Sequence, residues 1–450
     1  MHPATPPTAG MPAVPVHRTP VPRRRLFRGL IAAAVALPLA FGTAACGDDE
    51  SSSDPNAPVT IEFFWWGGES RAKATEEALK LYTSKHPNVT ITPTWQAFDG
   101  YYDKLATISA GGNAPDIFQI DDNNLTDYAS RRVTLDLTDL VKDGKIDLSK
   151  HHAELTKYGQ VDGKQVAIAS GENTPAIVYD KTKLAELGVS EPQEGWSYQQ
   201  YFDWAAQVTQ KGGGKYWGTM DISSDYKALW LWLRTQGKEF YNGKQLGFTE
   251  ADLVTWFKLW QEARTKGATP PADIVHEAVT GSVSTQLVVT GKAAVSFMWS
   301  NQLSELQKAT KNELAMLPYP GDVKGQWPRA SLYWAGSRTT EHPEVVADII
   351  NFLVNDPEAA KILGTDRGLP ANLDVRETLE ADISDNSMKA TFAFENGLAS
   401  KFGAAPPVPP KGHNGLRNKL RDIAESVTYG KATPEAAAKQ FFAEASAALA

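Results

Sequence analysis

Cysteine is almost absent from the 450 residues: the single one, Cys46, excludes a disulfide scaffold. Basic excess is missing as well, since 45 Lys and Arg face 53 Asp and Glu for a formal net charge of −8. Nucleic acid phosphates demand clustered Lys and Arg, so an acidic chain excludes that partner. Beyond residue 45 no segment is long and apolar enough to span a bilayer. There is no Gly-x-Ser-x-Gly elbow and no zinc-protease motif. Gly291-Lys292 lacks phosphate-loop spacing, and Gly212-Gly213-Gly214 reads as a flexible loop. His151 and His152 are adjacent and share no face, and no Glu-x-x-His accompanies them, so neither a metal nor another cofactor is expected. No internal repeat is evident.

What is present begins with an export pattern. Residues 1–28 carry Arg18, Arg23, Arg24, Arg25 and Arg28 without a single acid, and the uncharged run GLIAAAVALPLAFGTAA follows to Ala45. Residues 1–45 therefore read as an export signal. Pro38 interrupts the run, which is barely long enough for a permanent span. Arg24-Arg25-Leu26-Phe27 looks like a twin-arginine core, although any such signal needs arginines. Ala44-Ala45-Cys46 resembles the lipobox of bacterial lipoproteins, which implies lipidation of Cys46 and anchoring at the outer face of the cell membrane. Thr43 departs from that pattern, which prefers an aliphatic residue there, and the alternative is a leftover thiol beside an ordinary cleavage site. Residues 46–58 are polar and aperiodic and read as a disordered tether. Removing the signal leaves 40 basic residues against 53 acidic, a net charge of −13.

The remaining chain, about 405 residues, exceeds what one core usually supports, so two lobes are expected. Val59 to Trp66 reads as a strand, a helix follows Gly67-Gly68, Val89 to Thr92 is a second strand, and Asp116 to Ile120 a third after a helix near 98–109. Strand and helix alternating in this way indicate a parallel α/β sheet. The pattern recurs with strands near 165–169, 175–179, 216–220, 293–298 and 330–335. All thirteen tryptophans lie beyond residue 64, and indole pairs a flat apolar face with a polar N–H, as a sugar requires.

The order of segments resembles that of the extracellular solute-binding proteins of sugar ABC transporters (family 1), the group that includes maltose-binding protein. The resemblance covers roughly 59–440 and rests on seven pieces in order. They run from "VTIEFFWW…LYTSKHPNVTITP" and "NAPDIFQIDDNNLTDYASRRVTLDLTDLV" through "DGKQVAIASGENTPAIVYDKTKLAELGV" and "GWSYQQYFDWAAQVTQKG". "LVVTGKAAVSFMWSNQL", "SLYWAGSRTTEHPEVVADIINFLVNDPEAAKIL" and "GLPAN" complete them. It implies an α/β, two-lobed periplasmic-binding-protein fold (type II) with hinge crossovers and a ligand cleft between the lobes. The implied lobes are 59–167 with 329–377, and 168–328 with 378–450. It also implies a monomer that closes on its solute and delivers it to ABC permease subunits.

In open parallel sheets ligands bind beyond the carboxyl ends of strands, so the residues following each predicted strand are the candidates. After the first strand these are Trp65, Trp66 and Glu69: stacking on a pyranose face, and an acid for its hydroxyls. Two successive strand residues point to opposite faces, so one indole is open to a core role. Gln96 follows the second strand. Asp121 and Asp122 follow the third, and a carboxylate can accept from two neighbouring hydroxyls; the other reading is a helix cap. Glu172 and Asn173 stand at the expected hinge. The resemblance makes Tyr226 a stacking candidate and, more strongly, Trp299, which falls where maltose-binding protein carries a sugar-stacking tryptophan; Asn301 lies beside it. Trp230 and Trp232 are two apart and share no helical face, so at most one is expected in the core and Trp230 is a candidate. Trp334 and Arg367 complete the set, with a structural salt bridge as the other reading for Arg367. Trp256 and Trp260, four apart, read as a buried stripe.

The expected ligand is a small-molecule carbohydrate. The tryptophans and a scarcity of basic residues on the expected cleft side argue against anions. A cationic solute would also be served by aromatics and carboxylates and stands as the alternative. A glycoside hydrolase would need two carboxylates across the scissile bond, for which Glu69 and Glu172 are the available pair, but the segment order matches a binder.

Overall fold

The computed structural model describes residues 57–280 and 282–449. The export signal, Cys46 and all of the tether but its last two residues lie outside the described residues. Strand β1 (Val59–Trp66) pairs in parallel along its whole length with β2 (Val89–Gln96), from Val59 opposite Val89 to Trp66 opposite Gln96. Its other edge pairs, also in parallel, with β3 (Ile117–Ile120). β2 runs on past Thr92 through Pro93 because it is the sheet edge, where a missing N–H costs no ladder bond. The pleat of β1 sends Phe63 and Trp65 into one apolar layer and Phe64 and Trp66 into the opposite one. Helices α1 (Glu69–Lys85), α2 (Tyr101–Ala110) and α3 (Asp122–Ser130) follow these strands.

The chain continues through β4 (Ile168–Ala169), β5 (Glu172–Asn173) and β6 (Pro175–Asp180). β6 is the centre of a second sheet, flanked antiparallel by β7 (Val295–Trp299) and β8 (Leu314–Pro318). Here the structure departs from the strand expectations. The second sheet is antiparallel, Leu314–Pro318 supplies an unforeseen strand, and residues 216–220 contribute only an isolated bridge from Trp217 to Ala293. That segment lies too close to α4 (Tyr198–Lys211) for a ladder: a Cβ on Gly218 would collide with the Ala205 backbone.

Helix α5 (Tyr226–Thr235) is buried continuously from Tyr226 to Leu233. Both Trp230 and Trp232 are therefore core residues, against the expectation of at most one. An apolar helix enclosed on every side has no solvent face to spare. Trp230 packs on Trp327 at 5.2 Å between ring centroids, and Trp232 on Trp256 at 5.6 Å. Trp256 and Trp260 of α6 (Glu250–Thr265) are fully buried in the same layer.

Three crossings tie the sheets. β5 pairs antiparallel with β9 (Arg329–Ala330), placing Arg329 opposite Asn173. The chain then returns to the first sheet as β10 (Tyr333–Gly336), inserted antiparallel between β3 and β4. α7 (Pro343–Asn355) packs beneath it, and Glu172 and Leu369 exchange backbone hydrogen bonds of 2.7 and 2.8 Å. Gly171 makes this approach possible, since a Cβ there would lie 2.5 Å from the Arg367 carbonyl oxygen and 2.8 Å from that of Leu369. After α8 (Asn386–Ala399), residues 400–412 strap back across the molecule, with the Thr126 hydroxyl donating to the Pro409 carbonyl at 2.6 Å. α9 (His413–Thr428) and α10 (Pro434–Ala448) then complete the second core.

Candidate functional site

Between the two sheets lies a cleft of about 1070 Å³. Trp66, Asp121 and Asn123 line it from the first lobe, Tyr226, Trp299 and Arg417 from the second, and Asn173 and Arg329 from the crossing ribbon.

The start of α3 organises one wall. Asp121 is its N-cap, its Oδ1 accepting from the Asn124 N–H at 3.1 Å, while the Asn123 side-chain amide donates to Oδ2 at 3.0 Å. Asp122, one residue on, has a side chain with no exposed surface and sits between two cations from elsewhere in the chain. Arg329 Nε donates to its Oδ2 at 2.9 Å and Arg329 Nη2 to its Oδ1; Lys227 Nζ reaches Oδ2 at 3.0 Å. Burial pushes the Asp122 carboxyl up, but Arg329 and Lys227 outweigh it and hold the group well below the usual carboxylate range. Lys227 is pushed down to about 8 by burial, with Asp122 acting against the shift and Arg329 with it.

Arg329 is the hub. Its guanidinium lies 4.4 Å from the centre of the Trp299 ring, and Nη1 donates to Asn173 Oδ1 at 3.4 Å. Asn173 donates in turn to Asn301 Oδ1 at 3.0 Å, and Asn301 to the Asp366 carbonyl at 3.1 Å. On the second lobe Tyr226 donates its hydroxyl to Asn123 Oδ1, and His413 Nε2 meets the same oxygen at 3.2 Å. His413 Nδ1 faces the Tyr241 hydroxyl at 2.6 Å, so a neutral ring protonated at Nε2 satisfies both contacts. Burial is the main reason His413 is pushed down to about 3, with Lys227 adding to the shift.

Of the residues singled out from sequence, Trp66, Asp121, Asn173, Tyr226, Trp299 and Asn301 come together on the cleft wall, and Arg367 borders it. The Arg367 side chain turns away into the first lobe, donating to Gln119 and Thr75 at 2.9 Å each and stacking on Trp334 at 4.9 Å. Asp122 acts through the two cations it holds. Trp65, Trp230 and Trp334 are fully buried in the cores, away from the cleft: Trp65 by the pleat of β1, Trp334 by its central strand. Glu172 is buried against Arg376 at 2.7 Å, Glu69 is exposed at the start of α1, and Gln96 donates to the Asp99 carbonyl at 3.4 Å; none of the three lines the cleft. The expected scarcity of basic residues is overturned. Arg71, Lys227, Lys308, Arg329, Arg367 and Arg417 all border the cavity. Arg329 and Arg417 carried no local signal, since one lies in a crossing segment and the other on a late helix brought in only by tertiary packing.

A two-lobed α/β chain with an interlobe cavity, its walls joined by one polar network, is built for capturing a solute. The chain belongs to the bacterial extracellular solute-binding protein family, whose model matches residues 77–393. A solved family 1 extracellular solute-binding protein from Alicyclobacillus acidocaldarius is similar at 30% identity, covering 87% of this chain and 99% of that one, with a TM-score of 0.68. The sn-glycerol-3-phosphate-binding periplasmic protein UgpB of Escherichia coli K12 is 24% identical over 89% of this chain and 93% of its own. The periplasmic oligogalacturonide binding protein from Yersinia enterocolitica shares the fold at a TM-score of 0.75 and 20% identity, covering 87% of this chain and 98% of that one.

Proposed function

We propose that this chain is the substrate-binding lipoprotein of an ABC importer, anchored through Cys46. On this reading it takes a carbohydrate into the interlobe cleft and passes it to the permease as a monomer. The observation that carries the ligand class is Trp299: half-buried on the cleft wall, with the Arg329 guanidinium 4.4 Å from its ring centre. A guanidinium on one side holds the indole flat and leaves it to stack against a pyranose from the cavity. Asn173, Asn301 and Asn123 stand around it as amides that can donate to or accept from hydroxyls. The names of two relatives, which bind glycerol-3-phosphate and oligogalacturonide, support a hydroxylated solute. The guanidinium groups around the cavity speak against a cationic one, and neither carboxylate of the possible hydrolase pair, Glu69 or Glu172, borders it.

The lobes are read as 59–167 with 329–377 and 168–328 with 378–450, closing because the solute contacts both. Its differential affinity for the closed form supplies the driving force. Titration calorimetry and tryptophan fluorescence over mono- and oligosaccharides, with amines as controls, test the reading. Trp299→Ala should weaken the best carbohydrate by roughly 30-fold, the scale of a truncated aromatic anchor, while the melting temperature of the free protein stays put. Unchanged affinity would remove Trp299 from the site, and turnover of any saccharide would make the protein an enzyme.

A further inference from the structure

The cleft does not end at Trp299. A side pocket of about 370 Å³ adjoins it, sharing Asp225, Tyr226, Lys227, Trp299, Gln302 and Arg417 as a common wall. Its deeper lining is apolar and aromatic, with Phe297 and Tyr319 both buried. Two polar groups in it lack what they need. Gln286, 6% exposed, donates its amide to the Ala278 carbonyl at 2.8 Å, but its Oε1 has no hydrogen-bond partner among the described residues. Arg417, half-buried, lies 5.9 Å from the Tyr226 ring centre and pairs with no carboxylate among the described residues.

Arg417 differs in this from three of the cations bordering the main cleft. Arg71 is paired with Asp366, and Arg329 and Lys227 with Asp122. The one acid in the shared wall, Asp225, is the N-cap of α5, receiving the Ala228 N–H at 2.8 Å; burial pushes its carboxyl up against the opposing backbone hydrogen bonds and the charges of Lys227 and Arg417, with which it forms no ion pair. A pocket with aromatic residues in its lining, one unfilled acceptor and a guanidinium held in no ion pair asks for a ring that brings a hydroxyl and a negative charge.

Building on the carbohydrate reading above, we propose that this side pocket is a second subsite. It takes the terminal unit of a ligand longer than one sugar, pairing an anionic substituent, carboxylate or phosphate ester, with Arg417 and a hydroxyl with Gln286. The main cleft holds the remainder over Trp299.

Calorimetry on the wild type, Arg417→Gln and Val279→Trp tests this. Val279 is an exposed residue of the pocket wall, so a larger side chain there narrows the pocket without entering a core. The probes are maltose and maltotriose (neutral), digalacturonate (carboxylate) and maltose 1-phosphate (phosphate ester). Expected is tighter binding of at least one acidic probe than of the neutral ones, with Arg417→Gln removing about 10- to 100-fold of that affinity, the worth of a charge-assisted contact. The neutral probes should lose clearly less than the acidic one in Arg417→Gln, and Val279→Trp should weaken the acidic probe most. A phosphate ester would gain affinity between pH 5.5 and 7, as its second proton leaves near a pKa of about 6, whereas a uronate would not. Equal binding of neutral and acidic probes, or indifference to Arg417→Gln, overturns the subsite and leaves the carbohydrate reading intact. Failure of every saccharide to bind overturns both.

Discussion

Replacing Asp122 by Asn would leave its shape in place and remove the one carboxylate with which Lys227 and Arg329 form ion pairs among the described residues. Lys227 and Arg329 have side chains only 3% and 7% exposed, so water cannot take over the carboxylate's role. Breaking a buried ion pair from one side costs about 3–5 kcal/mol, mostly from the charge left behind. With an unfolding entropy of about 2.1 cal/mol/K per residue over about 390 residues, that is a fall in melting temperature of roughly 4–6 °C at pH 7. Acid titration makes the reasoning sharper. The folded Asp122 is held below its unfolded value, so its stabilisation is complete above about pH 4 and declines as pH falls toward the folded value. Protonation of Asp122 therefore adds nothing to the difference between wild type and Asp122→Asn from pH 8 to 5, although Lys227, losing the carboxylate that opposes its downward shift, widens that difference as pH falls through the same range. Below pH 4 the two proteins should converge by about 1.4 kcal/mol per pH unit. Scanning calorimetry with urea melts at each pH measures both. A loss under 1 kcal/mol, or a gap that holds its full width at pH 2.5, would refute the claim that Asp122 compensates the two cations.

His413→Gln concerns the same interlobe network. His413 is held at about 3 in the fold, so its neutral form costs wild-type stability as pH drops from about 6.5 to 3, at up to about 1.4 kcal/mol per pH unit. The variant should show a shallower decline in urea melts over that range, and equal slopes would contradict the assignment. Glu395 is fully buried beneath the hinge, receives the Thr174 hydroxyl at 2.7 Å and that of Ser300, and is raised to about 7 by burial and by Glu172, with Arg376 opposing. A raised carboxyl loses its stabilisation as pH climbs from about 4.3 to 7, so Glu395→Gln should match wild type at pH 4.5 and exceed it at pH 8; equal melting temperatures at pH 8 would exclude this. Gly171→Ala should lower stability by about 1–3 kcal/mol, because its methyl meets two carbonyl oxygens of the crossing chain. A neutral result in thermal melts would mean the crossings separate easily.

The first lobe was largely legible in the chain because local signals and tertiary outcome agree there. Gly67-Gly68 stops β1, the alternation of Phe63 to Trp66 survives as two layers, and Asp121 both ends β3 and caps α3. Which of Trp65 and Trp66 reaches the cleft was not legible, because pleat parity says only that they diverge. Tyr101 and Phe98 decide it by packing on Trp66. In the second lobe YWGTM at 216–220 has strand composition, but Gly218 serves a close approach to α4. The run at Leu314–Pro318 is too short to separate strand from helix by periodicity. Trp299, Asn301 and Asn173 follow or form strands and were accessible to that logic. Arg329, Lys227 and Arg417 were not, since a buried cation on a crossing or a helix is recognisable only once its partner, or the lack of one, is in place.

The position of β10 sets a timetable. It is hydrogen-bonded on both sides, to β3 and to β4, so the first sheet stays split until Tyr333–Gly336 has been made, more than 200 residues after β3. At translation rates of roughly 5–20 residues per second, β1 to β3 wait some 10–40 s for the strand that closes their sheet. Until then β3 and β4 present open edges, the kind of surface that pairs with whatever strand is nearest. A nascent chain of this design cannot finish its leading lobe early, and depends through that interval on being held away from its own copies.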